Sequence, residues 1–260
     1  MIDALAAEWL KIRTVRSTLI VLVVLAVFVG LMALLAWYAA AAWDAMTPEQ
    51  RSHMAVSDLP PLAEWVASLA LAVLGVLTIT GEYGTGMIRT TFAAMPTRGA
   101  VLTAKAGVVA AVAYVTGLAA VVATFSVTRL IMGGRPIPGQ SPEPLSDRLP
   151  LFLAMAFSIT MFALLGLFLG AITRSAAGSI AILVAVWHLV PIVVSHLPAP
   201  WDERIGSLMP AALAGQLAGV GNPDSVYGSL LPPLVALAVM AAYVAVPYGL
   251  AALRLNRGDA

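Results

Sequence analysis

Six long stretches without an ionised side chain constrain this chain more than any other feature of its sequence. They lie between successive charged residues and contain 17 to 29 residues each. Because a helix needs about 20 apolar residues to cross about 30 Å of hydrocarbon, each stretch is long enough to span a membrane, the second only just. The sequence therefore predicts an all-α integral membrane protein whose six transmembrane helices cover residues 17–43, 63–81, 102–130, 149–173, 176–197 and 229–253.

The composition agrees with a chain whose main solvent is lipid. Hydrophobic residues make up 61% of the sequence and charged residues 10%, and the mean hydropathy is +0.95. A water-soluble domain of this length carries more charge on its surface. Because the chain has no cysteine, it can form neither a disulfide nor a thiolate metal site. The net charge of +1 is too balanced to indicate a nucleic-acid partner.

The chain, residues 1–260, is predicted to be one membrane domain with three distinctive segments outside its spans. Residues 82–98 connect the second and third spans, and residues 198–228 connect the fifth and sixth. Within the latter, residues 205–223 are rich in glycine and proline, which favours a short re-entrant or interfacial element over a seventh span. Residues 1–14 predict an amphipathic helix in the membrane interface, or else a continuous extension of the first span. The apolar face of that helix would consist of Ile2, Leu5, Ala6, Trp9 and Ile12.

The distribution of charge predicts the orientation of the spans. With the N-terminus inside, the cytoplasmic segments hold nine basic residues against four acidic ones, and the outer segments hold five against nine. This bias follows the positive-inside rule. We therefore expect a multi-pass protein of the bacterial inner membrane with both termini in the cytoplasm. The residues 39–42 resemble a signal-peptidase site, but the preceding apolar stretch exceeds the ~7–15 residues of a signal-peptide core, so we expect no cleavage.

The sequence pattern shows no cluster of catalytic or ion-binding residues. Ion-coupled transporters usually hold ionisable groups near mid-membrane, and His188 is the single titratable residue at that depth in the predicted spans. A lone histidine there is more often a packing residue than a proton relay. Residues 99–105 lack the second glycine and the hydroxyl residue of a phosphate-binding loop. We expect a transport subunit rather than an enzyme, with no catalytic residue, metal or cofactor in this chain, which obtains its energy from a separate ATPase.

The connection between the second and third spans is the most informative segment. Gly81, Gly84 and Gly86 are predicted to break the helix that leaves the second span. Residues 87–95 can then form a short helix at the membrane surface, which Pro96 and Gly99 end. Such a helix could dock a partner protein. The alternative is an ordinary amphipathic loop under the headgroups, whose Arg89 and Arg98 bind lipid phosphate.

Two stretches of sequence resemble those of a known family. Residues 81–91 (GEYGTGMIRTT), followed by PTRG at 96–99 and by Lys105, are similar to the loop between the second and third spans of type-2 ABC transporter permeases, particularly actinobacterial ones. Residues 8–13 (EWLKIR) and 16–18 (RST) resemble the N-terminal interfacial helix of the same family as it enters the first span. The six spans and the long last outer loop also match, so the resemblance covers essentially the whole chain.

The resemblance implies an exporter that is powered from outside this chain. In the family, a dimer of permeases, formed by two copies or by two relatives, sits on two ABC ATPase subunits that bind ATP and Mg²⁺. The loop carrying Glu82 contributes a coupling helix, and the N-terminal helix also touches the ATPase. Glu82 would brace the base of the second span against a basic residue such as Arg13 or Arg89. The implied ATPase-coupling residues are Glu82, Tyr83, Gly84, Thr85, Arg89, Arg98, Glu8, Lys11 and Arg13.

The cargo implied by the resemblance is an amphipathic or hydrophobic compound such as a peptide antibiotic, another drug or a lipid, so the exporter could confer antibiotic resistance. The residues available along a substrate pathway are Trp37, Tyr38, Thr78, Thr80 and His188. For each hydroxyl residue, hydrogen bonding within or between helices is the more common role. Two other classes of function remain open, a membrane-embedded enzyme and a sensory or structural subunit without cargo.

Overall fold

The computed structural model describes residues 2–95, 97–220 and 231–257, and this part of the chain contains helices but no strand. One five-residue segment, Ala185–Leu189, is a π-helix. The α-helices are α1 (Ile2–Thr14), α2 (Arg16–Ala45), α3 (Pro48–Ser52), α4 (Pro60–Thr85), α5 (Met87–Ala94), α6 (Arg98–Met132), α7 (Leu145–Thr173), α8 (Ala176–Val184), α9 (Val190–Ser195), α10 (Trp201–Gly206), α11 (Pro210–Leu217) and α12 (Pro233–Arg257).

Six helical segments are long and apolar enough to cross a membrane, which confirms the predicted all-helical, multi-pass architecture. They are α2, α4, α6, α7, the continuous run from α8 through the π-helix to α9, and α12. α1 is a separate helix because Val15, which has extended backbone angles, interrupts the chain before α2.

The centre of the bundle is the packing of α4 along α7. Small residues allow the two backbones to touch. A Cβ atom built on Gly166 of α7 would lie 2.2 Å from the carbonyl oxygen of Ala72, and one on Gly75 of α4 would lie 2.1 Å from that of Ala163. Glycines and alanines at such crossings are typical of membrane helices, where close van der Waals contact replaces the hydrophobic effect as the source of association.

The end of α4 corrects the prediction that three glycines break the helix after the second span. Gly81 and Gly84 lie inside α4, which continues to Thr85. Only Gly86 leaves the helical conformation, with φ at 72°. A glycine within a helix costs only about 1 kcal/mol relative to alanine, so a helix fixed by packing elsewhere can contain one. As a result, residues 82–85 belong to the second span rather than to the connecting loop.

The start of α7 corrects a second boundary. The five prolines of residues 133–150 predict a loop between the third and fourth spans, yet α7 begins at Leu145 and includes Pro150. Pro144 occupies the N-cap position, and Pro150 lies near enough to the helix start that its missing N–H removes only one hydrogen bond, to the carbonyl of Ser146.

The fifth span changes its helical geometry at its middle. α8 ends at Val184, the π-helix covers Ala185–Leu189, and α9 follows. Pro191 accounts for the change because it cannot donate to the carbonyl of Trp187 and its ring pushes that turn open. His188 lies within this widened turn.

Two short helices, α10 and α11, occupy the connection between the fifth and sixth spans, and residues 221–228 of that connection lie outside the described residues. α11 packs on α7 and α12, with Leu213 fully buried. Gln216 holds the segment together, since its amide nitrogen donates to the carbonyl of Ser207 and its oxygen accepts from the backbone of Leu231.

The bundle has two distinct ends. We call the end that contains Lys11 and Lys105 the lysine end; α4 and α7 finish there, and α6 begins there. At the opposite end, Arg135 is paired with Asp44 at 2.7 Å, and the backbone N–H of Val56 donates to the carbonyl of Pro138. These contacts tie the loop after α2 to the loop after α6.

Candidate functional site

Four charged side chains from three helices form a closed ring at the lysine end. Lys11 contacts Glu8 at 2.7 Å and Glu82 at 2.8 Å. Lys105 contacts Glu8 at 2.5 Å and Glu82 at 2.8 Å. Each lysine thus bridges both glutamates, and the ring joins α1, α4 and α6. We call these residues, Glu8, Lys11, Glu82 and Lys105, the charged ring.

The charged ring is mostly removed from solvent. Glu82 and Lys105 are each 3% exposed and Glu8 is 6% exposed. The ring carries two positive and two negative charges, so its net charge is zero. This pairing matters because a buried charge without a partner costs several kcal/mol. One oxygen, Oε2 of Glu82, is buried without a hydrogen-bond partner among the described residues.

Lys11 is the most accessible member of the charged ring. Partial burial works to lower the pKa of its ammonium group, but hydrogen bonds to Glu8 and Glu82, together with their negative charges, raise the pKa above its ordinary value. Lys11 therefore stays protonated throughout the physiological range.

α1 packs against the bundle through a face that shares only Ile12, among the described side chains, with its predicted apolar face. The buried positions are Ala4, Glu8 and Ile12, which follow each other at four-residue spacing, whereas Leu5 and Trp9 are 38% and 50% exposed. A sequence pattern places Leu5 and Trp9 on the apolar side, and such a side faces lipid as readily as protein. The protein-facing side of α1 contains Glu8 because Lys105 is there to neutralise it.

Glu82 lies in the last turn of α4, where the helix dipole gives a carboxylate no support. Its stabilisation comes instead from the two lysines that contact Oε1. The basic residues that contact Glu82 are therefore not the two named as examples, Arg13 and Arg89. Arg13 and Arg89 are both exposed, and the ion pairs of Glu82 within the described residues are with Lys11 and Lys105.

Two clefts border the charged ring. The larger has a volume of about 510 Å³, lies between the α1–α2 junction, α4 and α6, and is lined mainly by apolar groups, with Thr78 and Thr18 among its polar ones. The smaller, of about 300 Å³, lies between α1, α5 and α6. Glu8 and Lys11 line both clefts, so movement of α1 would change both at once.

The other residues predicted to couple to an ATPase are distributed around this end. Gly84, Thr85 and Arg89 are exposed at the end of α4 and on α5. Arg98, at the start of α6, donates to the carbonyl of Leu255 in α12 at 2.7 Å. Tyr83 turns away from the charged ring, and its aromatic ring lies 5.2 Å from the guanidinium carbon of Arg174. Pro96, expected to end the short helix, lies outside the described residues.

The predicted pathway residues are not brought to one place. Trp37 and Tyr38 are 60% and 66% exposed near the opposite end of α2. Thr78 and Thr80, near the lysine end of α4, donate to the carbonyls of Gly75 and Val76 within their own helix.

Of these residues, only Thr78 lines the 510 Å³ cleft. The ring of His188 packs edge-on against Trp65 at 5.4 Å, and its Nδ1 has no hydrogen-bond partner among the described residues.

Lys105 is the functional candidate that sequence reasoning missed. The predicted third span starts at residue 102, which puts Lys105 near its edge, whereas in the structure Lys105 lies two turns inside α6 and is almost completely buried. A signal was present in the sequence. Lys11 and Lys105 are the only lysines of the chain, against twelve arginines, and both belong to the charged ring. A compact ammonium group can serve two carboxylates at once, which explains lysine at both positions.

Comparison with known proteins adds no family assignment, since neither a protein-family model nor a curated protein matches the chain.

Proposed function

We propose that the chain is the membrane-spanning permease subunit of an ABC exporter of the bacterial inner membrane. In this proposal a separate ABC ATPase hydrolyses Mg-ATP, and two permease subunits form the transport pathway for an amphipathic or hydrophobic compound. The lysine end faces the cytoplasm, consistent with its excess of basic residues. The support comes from the sequence resemblance of residues 81–99 and 8–18 together with the contacts made by those residues.

The observation that carries the proposal is the position of α5 beside the charged ring. α5 is a short helix joined to α4 by a single residue, Gly86, and to α6 by residues 95–97. Its Ile88 is buried at 4% exposure, which anchors it to the bundle, while Arg89 and Thr90 are exposed. A protein that binds the exposed face of α5 would therefore act directly on the ends of two spans.

The charged ring would couple such a motion to the neighbouring helices. Because it clamps α1 to α4 and α6, a push on α5 moves the three helices together instead of bending one of them. α1 would move with them and, through Val15, would transmit the motion to α2. The 510 Å³ cleft lies among the same helices, so its width would change as the ATPase opens and closes. This cleft is a suitable entry point for a largely apolar compound from the inner leaflet.

The test is a pull-down of the tagged chain from its native membrane in a gentle detergent, with assays of co-eluting subunits and ATPase activity. We expect a stoichiometric ATPase with the wild-type chain and its loss with Arg89→Glu, which reverses the charge on the exposed face of α5. Arg204→Glu is the matched control. Arg204 is exposed on α10, which follows the fifth span and so lies away from the lysine end.

A chain that elutes without an ATPase, also after cross-linking, would contradict the proposal and would favour a sensory or structural subunit. Equal recovery of the ATPase with Arg89→Glu and with Arg204→Glu would retain a transporter but remove α5 as the docking helix.

A further inference from the structure

A second group of charges at the lysine end, which the proposed function does not use, consists of arginines alone. Arg174, Arg254 and Arg257 line an open concavity of about 510 Å³, together with Leu250 and Leu253. Among the described residues, none of the three arginines forms an ion pair with a carboxylate. The concavity thus carries about three positive charges, unlike the neutral charged ring.

Arg174 is held in this concavity by an unusual backbone conformation. It ends α7 with φ at 57°, and it is the only residue other than glycine with positive φ in the described part of the chain. Glycine or asparagine is the usual choice at such a helix end, because a larger side chain is strained in the left-handed region. An arginine that adopts this conformation, at a site where glycine would be unstrained, indicates a use for its side chain.

The guanidinium of Arg174 is held in place by an aromatic ring and has no carboxylate partner among the described residues. Its central carbon lies 5.2 Å from the centre of the Tyr83 ring, a cation–π arrangement. Its Nε atom is buried and donates to no carboxylate or carbonyl among the described residues, and it lies beside the buried Tyr83 hydroxyl, with which the guanidinium interacts. The guanidinium is thus held at the wall of the concavity without a carboxylate partner, so its charge is available to an anion there.

The apolar part of the concavity selects among anionic ligands. Leu250 and Leu253 are 54% and 53% exposed on α12, one turn before Arg254 and Arg257. The concavity therefore pairs guanidinium groups at the end of a membrane span with an apolar wall directly inside it. This arrangement is complementary to an anionic phospholipid, whose phosphate lies at the headgroup level above its acyl chains.

We propose that this concavity is a binding site for an anionic phospholipid, with Arg174, Arg254 and Arg257 contacting its phosphate and the two leucines contacting its acyl chains. Arginine suits this role because its planar fork donates two parallel hydrogen bonds to a phosphate. A lipid bound here would join the turn between α7 and α8 to the end of α12. The proposal does not depend on the proposed transport function, because it concerns a different set of residues and no ATPase.

The experiment is native mass spectrometry of the full chain in detergent, titrated with phosphatidylglycerol and, in parallel, with phosphatidylcholine of the same chain length. We expect phosphatidylglycerol to bind the wild-type chain in preference to phosphatidylcholine. Arg254→Gln/Arg257→Gln should weaken phosphatidylglycerol roughly 30-fold, which corresponds to about 1 kcal/mol for each arginine near a charged membrane surface. Arg254→Lys/Arg257→Lys should retain most of the affinity because it keeps the charge.

The matched control is Arg13→Gln/Arg16→Gln, which removes two exposed arginines at the same end but outside the concavity. Equal binding of the two lipids, or equal weakening by the two double glutamine variants, would overturn the proposal, since binding would then follow overall charge. Inorganic phosphate is added as a competitor. Displacement of the lipid by phosphate at the same concentration would also overturn it, because the leucines would then contribute nothing.

Discussion

Single residues matter most in this protein where charge is buried. The charged ring combines two lysines and two glutamates from helices that are distant in sequence, and its members satisfy one another rather than water. Replacement of such a set by apolar residues of similar volume is often neutral for stability, whereas removal of a single partner is costly. The ring is therefore better explained by positioning, since it fixes α1 against the ends of α4 and α6, than by a net gain in stability.

Lys105→Met should test how much stability is lost when one partner of the charged ring is removed. The variant leaves Lys11 as the one cation of the charged ring beside Glu8 and Glu82, so the ring would carry a net negative charge in a buried position. We expect a loss of about 3–5 kcal/mol in the free energy of unfolding, measured by denaturant titration in detergent. Adding Glu8→Gln restores neutrality and should recover part of that loss.

Arg13→Met is the control for the lysine variant, because Arg13 is an exposed cation on α1. Its effect should stay within about 0.5 kcal/mol, as for most surface substitutions. If Lys105→Met were no more destabilising than Arg13→Met, the ring would not be a buried, mutually neutralising set.

Among the elements, the contact between α4 and α7 sets the shape of the bundle. Gly75 and Gly166 bring the two backbones together, and Gly170 extends the contact towards the lysine end, where a Cβ atom would lie 2.7 Å from Ile79. In lipid, apolar side chains gain little by leaving the solvent, so the closeness of the backbones determines how well two spans associate. The position of the charged ring on α4 depends on this contact, because α7 supports α4 from the other side.

Gly166→Ala should disrupt this contact. The added methyl group would lie 2.2 Å from the carbonyl oxygen of Ala72, which belongs to the backbone and cannot rotate away. We expect the helices to separate and the free energy of unfolding to fall by about 1–3 kcal/mol, the usual cost of overpacking. The same denaturant titration measures it.

Gly30→Ala and Gly249→Ala provide matched controls within α2 and α12, since a Cβ atom at either position meets nothing within 4 Å. Both substitutions should be neutral or slightly stabilising, because alanine is the better helix former. A Gly166→Ala variant as stable as these two would show that α4 and α7 are not in close contact.

The whole molecule is a bundle whose two ends differ in chemistry. The lysine end holds the charged ring, the exposed face of α5 and the arginine concavity, whereas the opposite end holds loops joined by Arg135 to Asp44 and by Arg148 to Asp58. The Asp44 carboxylate beside Arg135 raises the pKa of that guanidinium further above its ordinary value. The two ends thus suit two different environments, and the proposed function assigns the lysine end to the cytoplasm.

Single cysteines should reveal this orientation directly, because the chain contains none of its own. Thr90→Cys places a thiol on the exposed face of α5, and Ser141→Cys places one in the loop between α6 and α7 at the opposite end. In intact cells, a membrane-impermeant maleimide should label Ser141→Cys and should label Thr90→Cys only after the membrane is opened. The reverse pattern would place the lysine end outside and would contradict the proposed docking of an ATPase.

The number and approximate position of the spans follow from the sequence alone, because the transfer of a helix into lipid depends mainly on the hydropathy of its own residues. Contacts between residues that are distant in sequence could be found only from the tertiary structure. Glu82 pairs with Lys11 and Lys105 rather than with Arg13 or Arg89, since the packing of α1 and α6 determines which cations reach the end of α4. The same holds for the continuation of α4 through Gly81 and Gly84, where helix packing outweighs the local preference of glycine. The arginine concavity is the clearest case, because Arg174 and Arg254 are separated in sequence by the fifth span, a connection and nearly all of the sixth span, and meet only where α7 and α12 end together.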